Sequence, residues 1–298
     1  SAASDVYKRQ PPCGALVSND NKIVTRFAPS PTGFMHLGHA FAALHAWHLA
    51  REPNGKFLLR IENIDTGRCR QEFEEAIFED LLWLGLNWDG QARKQSQNMH
   101  EYKRALDRLN QERLLYPCFC TRKEILAEIS QADAAPHQFH GHRYPGICKA
   151  LSETEQQERI AGGEAYALRL DVEKAIKHAG PLVWLDEERG PQECKDLFGD
   201  VVLARKDVPT SYHLAVTVDD YRQRVNMVTR GVDLFDATHI HRLLQALLGF
   251  DTPTWSHHKL ITDHQGERLS KRNRAPTIRA LRRAGETPAT IKAMIGYN

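Results

Sequence analysis

Short apolar runs alternate with longer amphipathic ones along most of this chain. Residues 23–27 form a brief strand-like run, and a polar, proline-rich junction separates it from a helical pattern over about 36–51. A second strand-like run covers 56–61. Over 72–84, Phe73, Ile77, Leu81 and Leu84 recur at spacings of three and four, one face of a helix. The same spacing predicts a helix over 101–115. Strand, helix, strand, helix implies an α/β fold with a mostly parallel sheet. The rhythm is lost over 116–199, a stretch rich in His, Cys, Gly and Pro that reads as an insertion with short strands. Strand-like alternation resumes at 200–205, 213–218 and 225–229, and a helix fits 236–248. The expected organisation is therefore 23–115 and 200–298 as two halves of one catalytic domain, with 116–199 inserted. Residues 1–22 show neither period and no apolar core of a secretory signal. They read as a disordered extension or an artefact, and nothing functional is assigned to them, Cys13 included.

Composition changes this picture little. Of 298 residues, 41% are hydrophobic and 26% charged, ordinary for a globular enzyme. No apolar run is long enough for a membrane helix. The net charge of +2 does not by itself announce nucleic acid. Six cysteines are too few for a disulfide scaffold in a chain this long. Cys118, Cys120 and Cys148 are bunched, which suits a metal site in a reducing compartment, and the expected location is cytoplasmic.

Three features carry candidate chemistry. The first is the junction P-S-P-T-G-F-M-H-L-G-H at 29–39. A helix N-terminus after a strand offers free N–H groups and a positive dipole end to phosphate. Gly33 and Gly38 have the glycine spacing of a phosphate-binding P-loop, but that motif continues with Lys-Ser or Lys-Thr. This chain continues with His39-Ala40, so that reading fails. His36 and His39 lie on one helical face and can donate to phosphate oxygens. The second feature is the glycine-led basic loop at 266–272, with seven basic and no acidic residues from Arg268 to Arg283. Such runs are usually solvated faces, but a loop could instead bring Lys271 onto a transferring phosphate. The third is the cysteine group, for which zinc would need a fourth ligand. On chemistry alone His137, His140 or His142 would serve, and the alternative is three buried reduced thiols.

Taken in order, these words carry a resemblance. R-F-A-P-S-P-T-G at 26–33 with His36-Leu37-Gly38-His39 resembles the HIGH signature of class I aminoacyl-tRNA synthetases. Arg268-Leu269-Ser270-Lys271-Arg272 resembles their KMSKS loop, with arginine in place of the first lysine. L-R-I-E-N-I-D at 59–65, S-Y-H-L-A-V-T-V-D-D at 211–220 and T-R-G-V-D-L at 229–234 are similar to the glutamyl branch. Residues 276–295 leave room for two short helices where ordinary glutamyl-tRNA synthetases continue into an anticodon-binding domain. The D-L-F-D-A-T stretch at 233–238 and the C-x-C…Y-x3-C pattern are similar to the shortened glutamyl-queuosine tRNA(Asp) synthetase family.

That resemblance implies a Rossmann-like catalytic domain with an inserted zinc-containing subdomain and short C-terminal helices. It implies activation of glutamate by ATP without tRNA, then transfer to the cyclopentenediol of queuosine in the anticodon of tRNA(Asp). It places glutamate against Arg26, Phe27, Ala28, Pro29, Ser30, Glu62, Tyr212 and Arg230. ATP, with magnesium as counter-ion, would meet His36, Gly38, His39 and Lys271, of which His36, His39 and Lys271 would be catalytic. Zinc would be structural, on Cys118, Cys120, Tyr144 and Cys148, with His142 as the alternative fourth ligand. Cys69 and Cys194 match nothing. The partners implied are queuosine-bearing tRNA(Asp), L-glutamate and ATP, with a monomer and no membrane. Two rivals stay open: a minimal glutamyl-tRNA synthetase charging a 3′ end, and a non-catalytic paralogue that binds tRNA or nucleotide. Outside the resemblance, Glu62 and Asp65 read equally well as a surface acid pair, and Arg230 as an ion pair with Asp219 or Asp233.

Overall fold

A computed structural model describes residues 22–121, 123–124, 144, 146–262 and 276–297. Strand β1 (Val24–Phe27) leads to helix α1 (Leu37–Arg51), β2 (Lys56–Ile61), α2 (Gln71–Trp83), β3 (Arg93–Lys94), α3 (Met99–Gln111) and β4 (Leu115–Cys118). Then come α4 (Glu153–Ala161), β5 (Ala167–Leu170), α5 (Val172–Ala179), β6 (Val183–Asp186), β7 (Gly190–Glu193) and β8 (Val202–Ala204). The chain closes with α6 (Tyr212–Arg222), β9 (Met227–Gly231), α7 (Ala237–Leu248), β10 (Thr254–His258), α8 (Ile278–Arg283) and α9 (Pro288–Met294).

Two parallel arrays make the catalytic sheet. β1, β2 and β3 pair in parallel. β6, β10 and β9 also pair in parallel, and β7 adds an antiparallel edge. Asn226 joins the two arrays: its side chain accepts from Val24 N at 2.8 Å and its own N–H donates to Val24 O at 3.2 Å. The carboxyl ends of β1 and β9 thus lie side by side, where open α/β sheets bind ligands. β4, β5 and β8 form a separate antiparallel sheet. Strand pairing does not divide at 115/116 or 199/200, because β6 and β7 join the catalytic sheet while β8 joins β5.

α1 lies close on the sheet because its inward positions are small: Ala40, Ala43, Ala46 and Ala50 are buried with Phe41 and Leu44. The tail helices dock on the same core through Ile278, Ile291 and Ile295, all nearly fully buried. Three such side chains at about 1.5–3 kcal/mol each are enough to hold the tail, and with it the chain that follows residues 263–275.

Four expectations need correction. Residues 213–218 are not a strand but lie in α6, which Ser211 caps by accepting from Leu214 N. The β-branched Val216, Thr217 and Val218 suggest a strand, but the helix is buried on all sides from Leu214 to Asp220, and tertiary burial overrides propensity. The predicted 101–115 helix stops at Gln111, because Arg113 takes a left-handed φ of 55° and Leu115 opens β4. The 116–199 stretch holds helices as well as strands, with Ser152 and Glu155 forming a capping box for α4 and Asp171 capping α5. The Glu62 side chain is only 10% exposed, so it is not part of a surface acid pair.

Candidate active site and cysteine centre

The junction after β1 is a built turn. His36 caps α1, its Nδ1 accepting from Gly38 N at 3.1 Å, while His39 Nδ1 accepts from His36 N at 3.1 Å. With both Nδ1 atoms accepting from amides, a neutral ring carries its proton on Nε2. Each histidine is thereby fixed as an Nε2–H donor. A Cβ on Gly38 would fall 3.0 Å from His36 Cε1, so a side chain there would press on the ring that folds back over the helix start. The returning tail is stitched to this turn. Thr277 bridges His36 in antiparallel fashion, Ile278 N donates to Met35 O at 2.8 Å, and the Arg279 guanidinium lies over the Phe34 ring. Lys271 and the rest of its loop lie outside the described residues.

Next to the junction lies a buried charged cluster. Arg26 Nε donates to Asp220 Oδ1 at 2.9 Å and its Nη1 to Thr229 O at 2.8 Å. Arg60 Nη1 reaches the same Asp220 oxygen at 2.8 Å and its Nη2 reaches Glu62 Oε1 at 3.4 Å. Asp219, directly before Asp220, takes Arg93, Gln95 and Tyr102. Burial alone would hold the Asp220 proton on, but Arg26 and Arg60 outweigh it and keep the carboxyl ionised. Burial wins at Glu62, which is pushed up to about 7 despite Arg60 and Arg26. Glu62 is thus poised to ionise when a cation arrives.

Arg230 faces this cluster from the end of β9 and is held differently. Its Nε donates to His257 Nε2 at 3.2 Å, its Nη1 to His241 Nδ1 at 2.9 Å, and its Nη2 to Thr238 Oγ1. Among the described residues no salt bridge joins it to Asp219 or Asp233. Gly231 follows, where a Cβ would meet Asp233 Oδ1 at 2.3 Å. Tyr212 is half-buried beside Arg230, its ring 5.7 Å from that of His241.

Of the residues expected to bind glutamate, Arg26, Glu62, Tyr212 and Arg230 therefore converge. Pro29 anchors the loop, its carbonyl accepting from Glu62 N at 3.0 Å. Ser30 is exposed and Ala28 half-buried. The Phe27 ring packs into the core beneath α1, so its part is to place its neighbours. Sequence reading missed Arg60, Asp220, Thr238, His241 and His257. Arg60 and Asp220 sit inside the quoted words, and their charge was the available signal.

The cysteine centre lies across β4 and the turn before α4. The sulfurs of Cys118, Cys120 and Cys148 are all within 4.8 Å of one another. Tyr144 Oη is 3.4 Å from Cys118 Sγ and 3.3 Å from Cys120 Sγ. A zinc ion with tetrahedral bonds of about 2.3 Å sets neighbouring sulfurs ~3.8 Å apart, and Cys120 and Cys148 stand 3.9 Å apart. Three thiols and a phenol thus fit that ion. The Arg169 guanidinium lies over the Tyr144 ring at 3.7 Å. Burial opposes ionisation of Cys118, but hydrogen bonds from Tyr144 and Arg169 outweigh it and lower its pKa. His137, His140 and His142 lie outside the described residues.

Comparison with known proteins agrees with this geometry. Residues 22–296 match the family described as tRNA synthetases class I (E and Q), catalytic domain. The glutamyl-Q tRNA(Asp) synthetase of Rhodobacter capsulatus is 44% identical over 92% of this chain and 100% of its own. That of Nocardia farcinica is 40% identical over 91% of this chain and 82% of its own. A glutamate–tRNA ligase from Hydrogenobaculum is 36% identical, over 90% of this chain and 56% of its own. A glutamate tRNA ligase of Elizabethkingia meningosepticum, solved with its amino acid, superposes with a TM-score of 0.69 at 28% identity, covering 85% of this chain. The chain spans about half of that structure, 52%. ATP, with magnesium, is a substrate of class I synthetases, and no helix among the described residues is long and apolar enough to cross a membrane. The chain therefore belongs to the glutamyl-Q tRNA(Asp) synthetase family, ATP-dependent ligases built on the class I tRNA synthetase catalytic domain.

Proposed function

We propose that this enzyme activates L-glutamate with ATP in the absence of tRNA and transfers it to queuosine in the anticodon of tRNA(Asp). The observation that carries the amino acid is the convergence of Arg26, Arg230, Glu62 and Tyr212 beside the His36–His39 turn. Glutamate offers two carboxylates and one ammonium. Its reacting carboxylate must face the phosphate turn, so the side-chain carboxylate goes to the arginines, where guanidinium forks suit it. Glu62 takes the ammonium and Tyr212 adds a hydroxyl.

Activation is attack of the glutamate carboxylate on the α-phosphorus of ATP. A P–O bond forms, the bond to pyrophosphate breaks, and no general base is needed. The enzyme aligns the reactants and neutralises the developing charge. The Nε2–H groups of His36 and His39 do so from the helix start, and Lys271 from its loop. A queuosine hydroxyl then attacks the glutamyl carbonyl and AMP leaves, forming the ester. Zinc, held by Cys118, Cys120, Cys148 and Tyr144, would brace the inserted sheet without entering the reaction. The queuosine acceptor is supported by the identity of 44% and 40% to two glutamyl-Q relatives against 36% to the glutamate–tRNA ligase.

The test is amino-acid-dependent exchange of pyrophosphate into ATP without tRNA. Exchange with glutamate and little with glutamine or aspartate is expected. Exchange that appears only once tRNA is added would remove the tRNA-independent step and favour an ordinary glutamyl-tRNA synthetase.

A further inference from the structure

The groups that hold Arg230 are all uncharged, and the tautomers of its two histidine partners are set by what lies behind them. His257 Nδ1 faces Asp186 Oδ2 at 2.7 Å. The carboxylate takes that N–H, so Nε2 keeps its lone pair for Arg230 Nε. Asp186 is itself fixed at the end of β6, its other oxygen accepting from Glu188 N and Arg189 N. His241 Nδ1 accepts from Arg230, which puts the His241 proton on Nε2, facing His213 Nδ1 at 3.1 Å. Thr238 completes the set, within 3.3 Å of His257 Nε2. Burial pushes His257 down to about 3 and His213 to about 4, and takes His241 well below its ordinary range. These rings therefore stay neutral at physiological pH.

A guanidinium has five N–H donors. Three are taken by His257, His241 and Thr238, and the remaining N–H groups lie on the two terminal nitrogens, where the neutral Tyr212 hydroxyl is a further partner. Two parallel donors are what a carboxylate accepts. Arg230 is 7% exposed, so its charge is buried and offset by no salt bridge to a carboxylate among the described residues. Burial without a counter-ion is costly, and an anionic ligand relieves it.

We propose that His241 and His257 are positioning residues that grip Arg230 through neutral nitrogens, and so reserve its charge for the substrate's side-chain carboxylate and set the preference for glutamate over glutamine. This rests on the reading of Arg230 as a glutamate-binding residue. A carboxylate in place of either ring would hold Arg230 as firmly, but would neutralise it before substrate arrived. Glutamine, with a neutral amide, would lose far less from that change than glutamate.

The experiment measures pyrophosphate exchange with glutamate and with glutamine for His241→Glu, His241→Gln and Arg230→Ala, with melting curves alongside. His241→Glu is expected to raise the glutamate KM by about thirtyfold or more, the loss expected when a buried charge pair is disrupted. Its glutamate-to-glutamine ratio in kcat/KM should fall at least about tenfold, one step of 1.4 kcal/mol. His241→Gln, whose amide oxygen accepts from Arg230, should recover most of that ratio. A His241→Glu enzyme with the parental ratio, or a His241→Gln enzyme that loses as much as His241→Glu, overturns the proposal. If His241→Glu does not fold, Asp186→Asn decides. Its amide can donate to His257 Nδ1 and turn the ring's proton toward Arg230, so the glutamate KM should rise, and an unchanged KM overturns the proposal. Arg230→Ala separates the two levels. If it leaves the glutamate KM unchanged, the pocket reading itself fails. If it raises KM while His241→Glu does nothing, only the neutral grip fails.

Discussion

Arg26 and Arg230 are both almost fully buried, 6% and 7% exposed, and enter one pocket from adjacent strands, yet they are partnered in opposite ways. Arg26 shares Asp220 with Arg60, so much of its charge is met within the protein. Arg230 is gripped by imidazoles and by threonine and tyrosine hydroxyls, and among the described residues no carboxylate is in direct contact with it. The difference separates two tasks. The Arg26–Asp220–Arg60 triad ties β1 and β2 to α6 and gives the pocket its wall. In the function proposed above, Arg230 receives the substrate's side-chain carboxylate.

The strongest way to break this comparison is to remove the shared carboxylate. Asp220→Asn should destabilise the protein by about 3–5 kcal/mol, because buried Arg26 loses its carboxylate partner and buried Arg60 the nearest of its three. A denaturant melt checks it, and a loss of less than about 1 kcal/mol would show that the triad is not structural. Arg230→Ala should leave the fold far better preserved yet lower kcat/KM for glutamate by about two to three orders of magnitude, the cost of stranding one bound charge. Comparable melting losses for both variants would erase the distinction.

Glu62 sharpens the comparison through pH. Its pKa is raised to about 7, so below that value it is protonated in the empty enzyme and cannot pair with the substrate ammonium. Above it the carboxylate is present. Glutamate kcat/KM should therefore rise with pH through about 7, and Glu62→Gln should flatten that limb as well as lowering activity. The same raised pKa means that ionised Glu62 costs folding stability as pH rises from its unfolded range toward 7. A pH profile unchanged by Glu62→Gln would assign the limb elsewhere. The smallest effect is expected furthest away. Cys148→Ser should lower bound zinc and the melting temperature, while moving the glutamate KM by no more than about twofold, since distant sites act additively. Unchanged metal content by elemental analysis would overturn the zinc assignment.

The order of strands and helices was largely legible, because α1, α2 and β2 carry clean periods. The four residues that converge at the candidate site, Arg26, Glu62, Tyr212 and Arg230, also lie in recognisable words. The partners were not. Asp220 lies 194 residues from Arg26 and Asp186 lies 71 from His257, and no local pattern reports such pairings. α6 misled for the opposite reason: the local signal of Val216, Thr217 and Val218 was clear, but burial on every face overrode it. His241 and His257 gave no signal, because a histidine's role is set by the atom on its far nitrogen.

The most direct test of the whole account is transfer of labelled glutamate, with ATP, to tRNA from cells that make queuosine and from cells that cannot. Label on the queuosine-containing pool alone, mapped to the anticodon of tRNA(Asp), is the predicted result. Equal label on both pools, released from a 3′ end, would contradict it.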